Sequence, residues 1–179
     1  KSDLAVARSE TARLKQEKDV ATAKATATGA PDPAASPSAH LSPAMNTLPP
    51  LAKGETVDAM DLGNHYLADA TAADARYRKK VFKVKGEIAG FDKPMLSRNY
   101  RVLLRTPGRE LRVLCTVTPP EKYNAVFTTQ GGTQLTGSLR NGARVTFLKV
   151  GDSVVLEGTC GGLDGPMIEM SGCSLLTVE

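Results

Sequence analysis

Val81-Phe82-Lys83-Val84-Lys85-Gly86-Glu87-Ile88 is the stretch on which the reading of this chain turns. Phe82, Val84 and Ile88 alternate with Lys83, Lys85 and Glu87, the period of two that gives a strand one apolar and one wet face. Gly86 in its middle predicts a bulge or sharp bend. Gly90-Phe91-Asp92-Lys93-Pro94 then reads as a loop, after which Tyr100, Val102 and Leu104 alternate with Arg101, Leu103 and Arg105 as far as the turn Thr106-Pro107-Gly108. Leu111, Val113, Cys115 and Val117 repeat the alternation against Arg112, Leu114 and Thr116, so the second and third strands form an antiparallel hairpin.

Working downstream, Pro119-Pro120 stops the third strand and Glu121 to Thr129 predicts a helix in the connection that follows. Gly131-Gly132 and Asn141-Gly142 flank a polar stretch that periodicity leaves unassigned, and Ala143 to Val150 predicts an extra strand. Gly151-Asp152 turns the chain into Val154, Val155 and Leu156, and a last strand carries Met167, Ile168, Met170 and Leu175. A bent strand, a hairpin, a connector with a helix and two closing strands are the order of a five-stranded OB barrel, a mainly β fold. Periodicity alone leaves an SH3-like barrel or an open meander as alternatives.

Working upstream, Thr56 and Asp58 offer oxygens for a helix start, and Val57, Met60, Leu67 and Ala70 follow at roughly helical spacing, with Gly63 weakening the helix. A second helical run over 72–79 puts Ala73 and Tyr77 on one face. Before these, Thr26 to Lys53 is dominated by Ala, Thr, Pro and Ser and reads as an extended spacer. Residues 1–25 read as a charged helix or stalk, with Leu4, Ala7, Thr11, Leu14, Lys18 and Ala21 at coiled-coil spacing but with poor occupants. The expected organisation is therefore a stalk over 1–25, a linker over 26–54 and an OB domain over 55–179.

The 179 residues suffice for one domain with appendages. The net charge of +4 hides an uneven distribution: basic and acidic residues number 7 and 10 over 1–75, 12 and 3 over 76–112, and 4 and 6 over 113–179. That central concentration fits an anionic partner, and equally a solvated strand face. No window approaches the ~18 apolar residues of a membrane span, and no signal peptide is recognisable. The sequence opens at Lys1 rather than Met, which is compatible with a membrane tether upstream.

Ala73-Asp74-Ala75-Arg76-Tyr77-Arg78-Lys79-Lys80-Val81, Val84-Lys85-Gly86, the run Val150-Gly151-Asp152-Ser153-Val154-Val155-Leu156-Glu157-Gly158-Thr159-Cys160 and the closing Cys173 resemble the tRNA-anticodon-binding-like OB-fold family of bacterial proteins. The resemblance covers about residues 56 to 179. It implies the OB fold, and it implies an exported or membrane-tethered protein, periplasmic rather than cytoplasmic, because many members look like that. The family name describes a fold and does not establish tRNA as a ligand. The resemblance also makes Cys160 and Cys173 the natural disulfide pair, since members often have cysteines there. Simple hairpin register instead sets Cys160 opposite Glu169 and Cys173 opposite Leu156, unless a bulge at Gly161-Gly162 repairs the offset. Cys115, on the apolar face of the third strand, reads as core.

For chemistry the sequence offers little. His40 and His65 belong to no cluster with metal-ligand spacing, and there is no phosphate-binding Gly-rich loop, no nucleophile elbow and no paired acid and base. The expectation is a non-catalytic protein without cofactor or metal. In OB barrels, nucleic acid usually lies across strands two and three, where cations hold phosphates and aromatics stack bases. That region carries Lys93, Arg98, Arg101, Arg105, Arg109 and Arg112, with only Phe91 and Tyr100 as aromatics. These cations and Tyr100 are the expected ligand-binding residues. The expected function is a binding module for a protein or other anionic macromolecule, with a single-stranded nucleic-acid binder working in the cytoplasm as the alternative, and self-association through the N-terminal helix is compatible with both.

Overall fold

The computed structural model describes residues 48–94, 97–108 and 110–178. The expected stalk and most of the expected linker lie outside the described residues, as do His40 and Arg109.

Strand β1 (Thr56–Asp58) leads into helix α1 (Ala59–Ala68) and helix α2 (Ala70–Tyr77). The sequence expectation of a helix from Thr56 is thus displaced: Thr56 to Asp58 instead pair in parallel with Lys83 to Lys85. Asp58 caps α1 by accepting from the Met60 amide at 2.8 Å, and Asp69 caps α2 by accepting from the Ala72 amide at 3.0 Å. Asp69 also ends α1, its own amide donating to the His65 carbonyl.

The barrel strands are β2 (Val81–Asp92), β3 (Tyr100–Leu104), β4 (Arg112–Val117), β8 (Ser153–Asp164) and β9 (Met167–Val178). Their order around the barrel is β2-β3-β4-β9-β8, and β8 returns to β2 to close it. Only β4 with β9 is a parallel pair within the barrel. Strand β2 has three partners: besides β1, Val81 to Glu87 pair with β8, and Ile88 to Asp92 pair with β3. The bend falls between Ile88 and Gly90, where the register shifts, and not at Gly86. Gly86 answers a different demand, because a Cβ there would lie 2.7 Å from the Ala59 Cβ of α1.

The alternation read from the sequence is the barrel interior. Phe82, Val84, Ile88, Tyr100, Val102, Leu104, Val113, Cys115, Val154, Leu156 and Ile168 are all fully buried, each of the large apolar ones stabilising the fold by about 1.5–3 kcal/mol on burial. Leu62, Tyr66 and Tyr77 of the two helices pack onto the same core.

The predicted helix over 121–129 is not formed. In its place β5 (Tyr123–Thr129), β6 (Gln134–Leu139) and β7 (Arg144–Lys149) make a separate three-stranded antiparallel sheet, with a short 3-10 turn at Gln130–Gly132. The extra strand expected over 143–150 is β7. A bulge between Tyr123 and Ala125 buries Tyr123 and Val126 at a spacing of three, which imitates a helix in the sequence. Hydroxyls of Thr129, Thr136 and Thr146 bridge the sheet at 3.0 and 3.1 Å.

Candidate functional site

Cross-strand partners share a face, so register decides which side chains look outward. Asp92 opposes Arg101, Gly90 opposes Leu103, and Leu103 opposes Leu114. These residues lie on the outer side of β2, β3 and β4, where Leu114 is itself buried, with Tyr100, Val102 and Leu104 pointing the other way into the core. Of the expected cations, Arg101 sits on this face and Arg105 and Arg112 at the turn end of the hairpin. Lys93 and Arg98 belong to the opposite end, in the loop between β2 and β3.

Arg105 and Arg112 come together. With Thr106, Pro107, Gly108 and Ala89 they line an open depression of about 300 Å³. Arg112 Nη1 donates to the carbonyls of Gly108 and Leu111 at 2.8 and 2.7 Å, which fixes its guanidinium at the rim. Thr106 Oγ1 donates to the Leu111 carbonyl at 2.5 Å, and so holds the turn closed beneath it.

Carboxylates on β2 sit beside two of these arginines. Arg101 pairs with Asp92 at 3.0 Å and Arg105 with Glu87 at 3.2 Å, all four side chains being 40–56% exposed. Pairs this exposed are worth about 0.2–1 kcal/mol, so they hold the guanidiniums extended along the face yet yield readily to a competing anion. At the other end, Lys93 donates to the carbonyls of Ser97 and Asn99, and Arg98 donates to the Tyr123 carbonyl at 3.3 Å. These two cations fasten the loop and the start of β5.

Tyr100 does not join the arginines. It is fully buried, edge-on to Phe147 at 5.8 Å, and Phe91 pairs with Val102 on the core side. Among the described residues no aromatic ring therefore lies on the outer face of β3 and β4. Three ring-bearing or charged neighbours of Tyr100 were missed by sequence reasoning: Lys122, Tyr123 and Phe147. Together with Tyr100 they border a cavity of about 420 Å³ between the barrel and the small sheet. Reading 121–129 as a helix hid Lys122 and Tyr123 at the start of β5, and Phe147, on the expected strand over 143–150, meets them only across β6.

The three thiols are free and buried. A bulge does fall at Cys160 to Gly162, but it sets Cys160 opposite Met170, and Gly162 opposite Glu169. Cys160 takes a 3.7 Å contact from the Tyr66 hydroxyl. Cys173 lies instead against Gly158 and Cys115. The hydrogen bond from Cys115 to Cys173 raises the Cys115 thiol above its usual range, with burial adding to it. His65 is buried, its Nδ1 2.8 Å from the Tyr77 hydroxyl.

A family model described as tRNA_anti-like matches residues 4–171. No curated protein matches the chain. Among solved structures, a candidate nucleic acid-binding lipoprotein from Klebsiella pneumoniae is similar at 14% identity, over 69% of this chain and 92% of its own, with a TM-score of 0.43.

Proposed function

The chain belongs to the tRNA_anti-like family, and from that premise we propose that it is a non-catalytic OB binding module whose ligand is an anionic macromolecule held on the outer face of β3 and β4. The observation that carries the reading is the depression shared by Arg105 and Arg112 at the end of the hairpin, continued along the strand by Arg101. Two guanidiniums on one notch suit the planar, bidentate recognition of carboxylate or phosphate. Without an exposed ring the face has cations to hold charge and nothing on which a base could stack, which favours an acidic protein surface over single-stranded nucleic acid. The Lys, Glu and Ala-rich residues 1–25 and the Pro-rich residues 26–54 support a spacer role, and an extracytoplasmic, tethered setting is part of the proposal.

The test is fluorescence anisotropy at rising salt with two labelled probes, a polyglutamate peptide and an oligothymidine of equal charge. The reading expects salt-sensitive binding of the peptide that weakens in Arg105→Ala and Arg112→Ala. A clear preference for oligothymidine would move the assignment to single strands, and no binding of either at low salt would remove it.

A further inference from the structure

Tyr100 is fully buried, yet its hydroxyl has no hydrogen-bond partner among the described residues. Leaving a buried hydroxyl unpaired is costly, so its surroundings matter. It borders the cavity of about 420 Å³ between β3, β4, β9 and the small sheet, within the size range of small-molecule sites. Tyr123 and Phe147 stack at 5.0 Å with 16° between their planes, and Phe147 meets Tyr100 edge-on at 73°. The three rings form a largely apolar wall, with the Tyr100 hydroxyl buried behind it. At the mouth, the exposed Lys122 holds its ammonium 5.0 Å from the Tyr123 ring centroid, and among the described residues no acidic side chain lines the cavity.

We infer that this cavity is a second binding site, distinct from the arginine face, for a small aromatic acid: its ring meets the edges of the stacked Tyr123 and Phe147, an oxygen or nitrogen on the ring accepts the Tyr100 hydrogen bond, and its carboxylate meets Lys122. Each part of the ligand answers a separate feature. The stacked rings select a flat body, because aromatic pairs prefer offset or edge-on contact over a mere apolar filling. Burial keeps the Tyr100 phenol protonated, so it is a donor and asks for an acceptor. Among the described lining residues, Lys122 supplies the charge, and it is positive.

The probes are 6-hydroxy-2-naphthoate, 2-naphthoate and 2-naphthol, followed by amide shifts in nitrogen-15 spectra of the whole chain. The hydroxynaphthoate is expected to give saturable shifts confined to Val117–Tyr123, Phe147 and Ser174–Val178. Affinity should fall about three- to tenfold for 2-naphthoate, which lacks the second oxygen, and by a similar factor for Tyr100→Phe with the hydroxynaphthoate. Lys122→Gln should weaken both acids and leave 2-naphthol unchanged. Lys122 is exposed and its replacement leaves the core intact, so this arm stands even if Tyr100→Phe fails to fold. Arg105→Ala should bind the probes as the parent does, which separates this site from the arginine face. Absence of saturable shifts at those residues, or equal affinity of the parent and Lys122→Gln for the acids, overturns the inference.

Discussion

Gly137 of β6 lies directly beneath the Tyr123 ring, so close that a Cβ there would enter the ring. The ring cannot retreat, because Phe147 stacks on it. Gly137→Ala is therefore expected to destabilise the fold by about 1–3 kcal/mol through overpacking, measured by urea denaturation. Arg101 presents the opposite case. Its pair with Asp92 is 40% and 49% exposed, and Arg101→Ala should change stability by no more than about 1 kcal/mol. The same substitution should lower the salt at which the protein leaves a heparin column, because each removed phosphate- or sulfate-facing cation cuts the salt dependence. A large loss of stability without a change in elution would contradict both arguments.

Elements are placed by close approach as much as by propensity. Gly63 weakens α1 by about 1 kcal/mol relative to alanine, and the structure shows what that weakness secures. A Cβ at Gly63 would stand 2.8 Å from the Thr106 Cβ and 2.9 Å from the Pro107 Cδ, so the glycine lets α1 dock on the turn that carries Arg105. Gly63→Ala should consequently be destabilising despite its better helix propensity, by about 1–2 kcal/mol in thermal or urea unfolding. A stabilised variant would mean that the turn moves freely. The same logic explains what could be read in advance. The barrel strands were legible because Phe82, Val84, Ile88, Tyr100, Val102 and Leu104 keep strict alternation against charged neighbours. Of the small sheet only β7 was, over 143–150, since the bulge at Tyr123 to Ala125 breaks the period of β5. The cationic face followed from the same alternation, while the grouping of Arg105 with Arg112 needed the hairpin register. The ring-lined cavity depends on Phe147 and Tyr123 meeting across β6, which no local pattern encodes.

For the molecule as a whole, pH dependence should appear on the alkaline side. Burial raises the Tyr66 phenol far above its ordinary value of 10, helped by Cys160 and Asp74. Burial raises Tyr77 and Tyr100 as well. These folded-state values lie above the unfolded ones, so their stabilising contribution is fully present below about pH 10 and is lost as pH climbs from there toward the folded values. The urea midpoint should hold steady from pH 7 to about 8, begin to fall as the unfolded thiols ionise because Cys115 and Cys160 are raised in the fold, and fall further above pH 10, with a shallower fall there in Tyr66→Phe. A midpoint flat to pH 11 would show that the unfolded phenols do not ionise ahead of the native ones.

The parallel pairing of β4 with β9 also sets an order in time. Arg112 finds its partner only at Met167, and Val117 at Cys173, with the entire small sheet and β8 made in between. On a chain emerging from the ribosome, the hairpin of β3 and β4 exists first and carries an unsatisfied edge until β9 arrives. That edge is a template for pairing with other chains. Slow closure of this kind is the kinetic cost of non-local strands, and it marks nascent chains stalled before β9 as the species that a holding chaperone would have to cover.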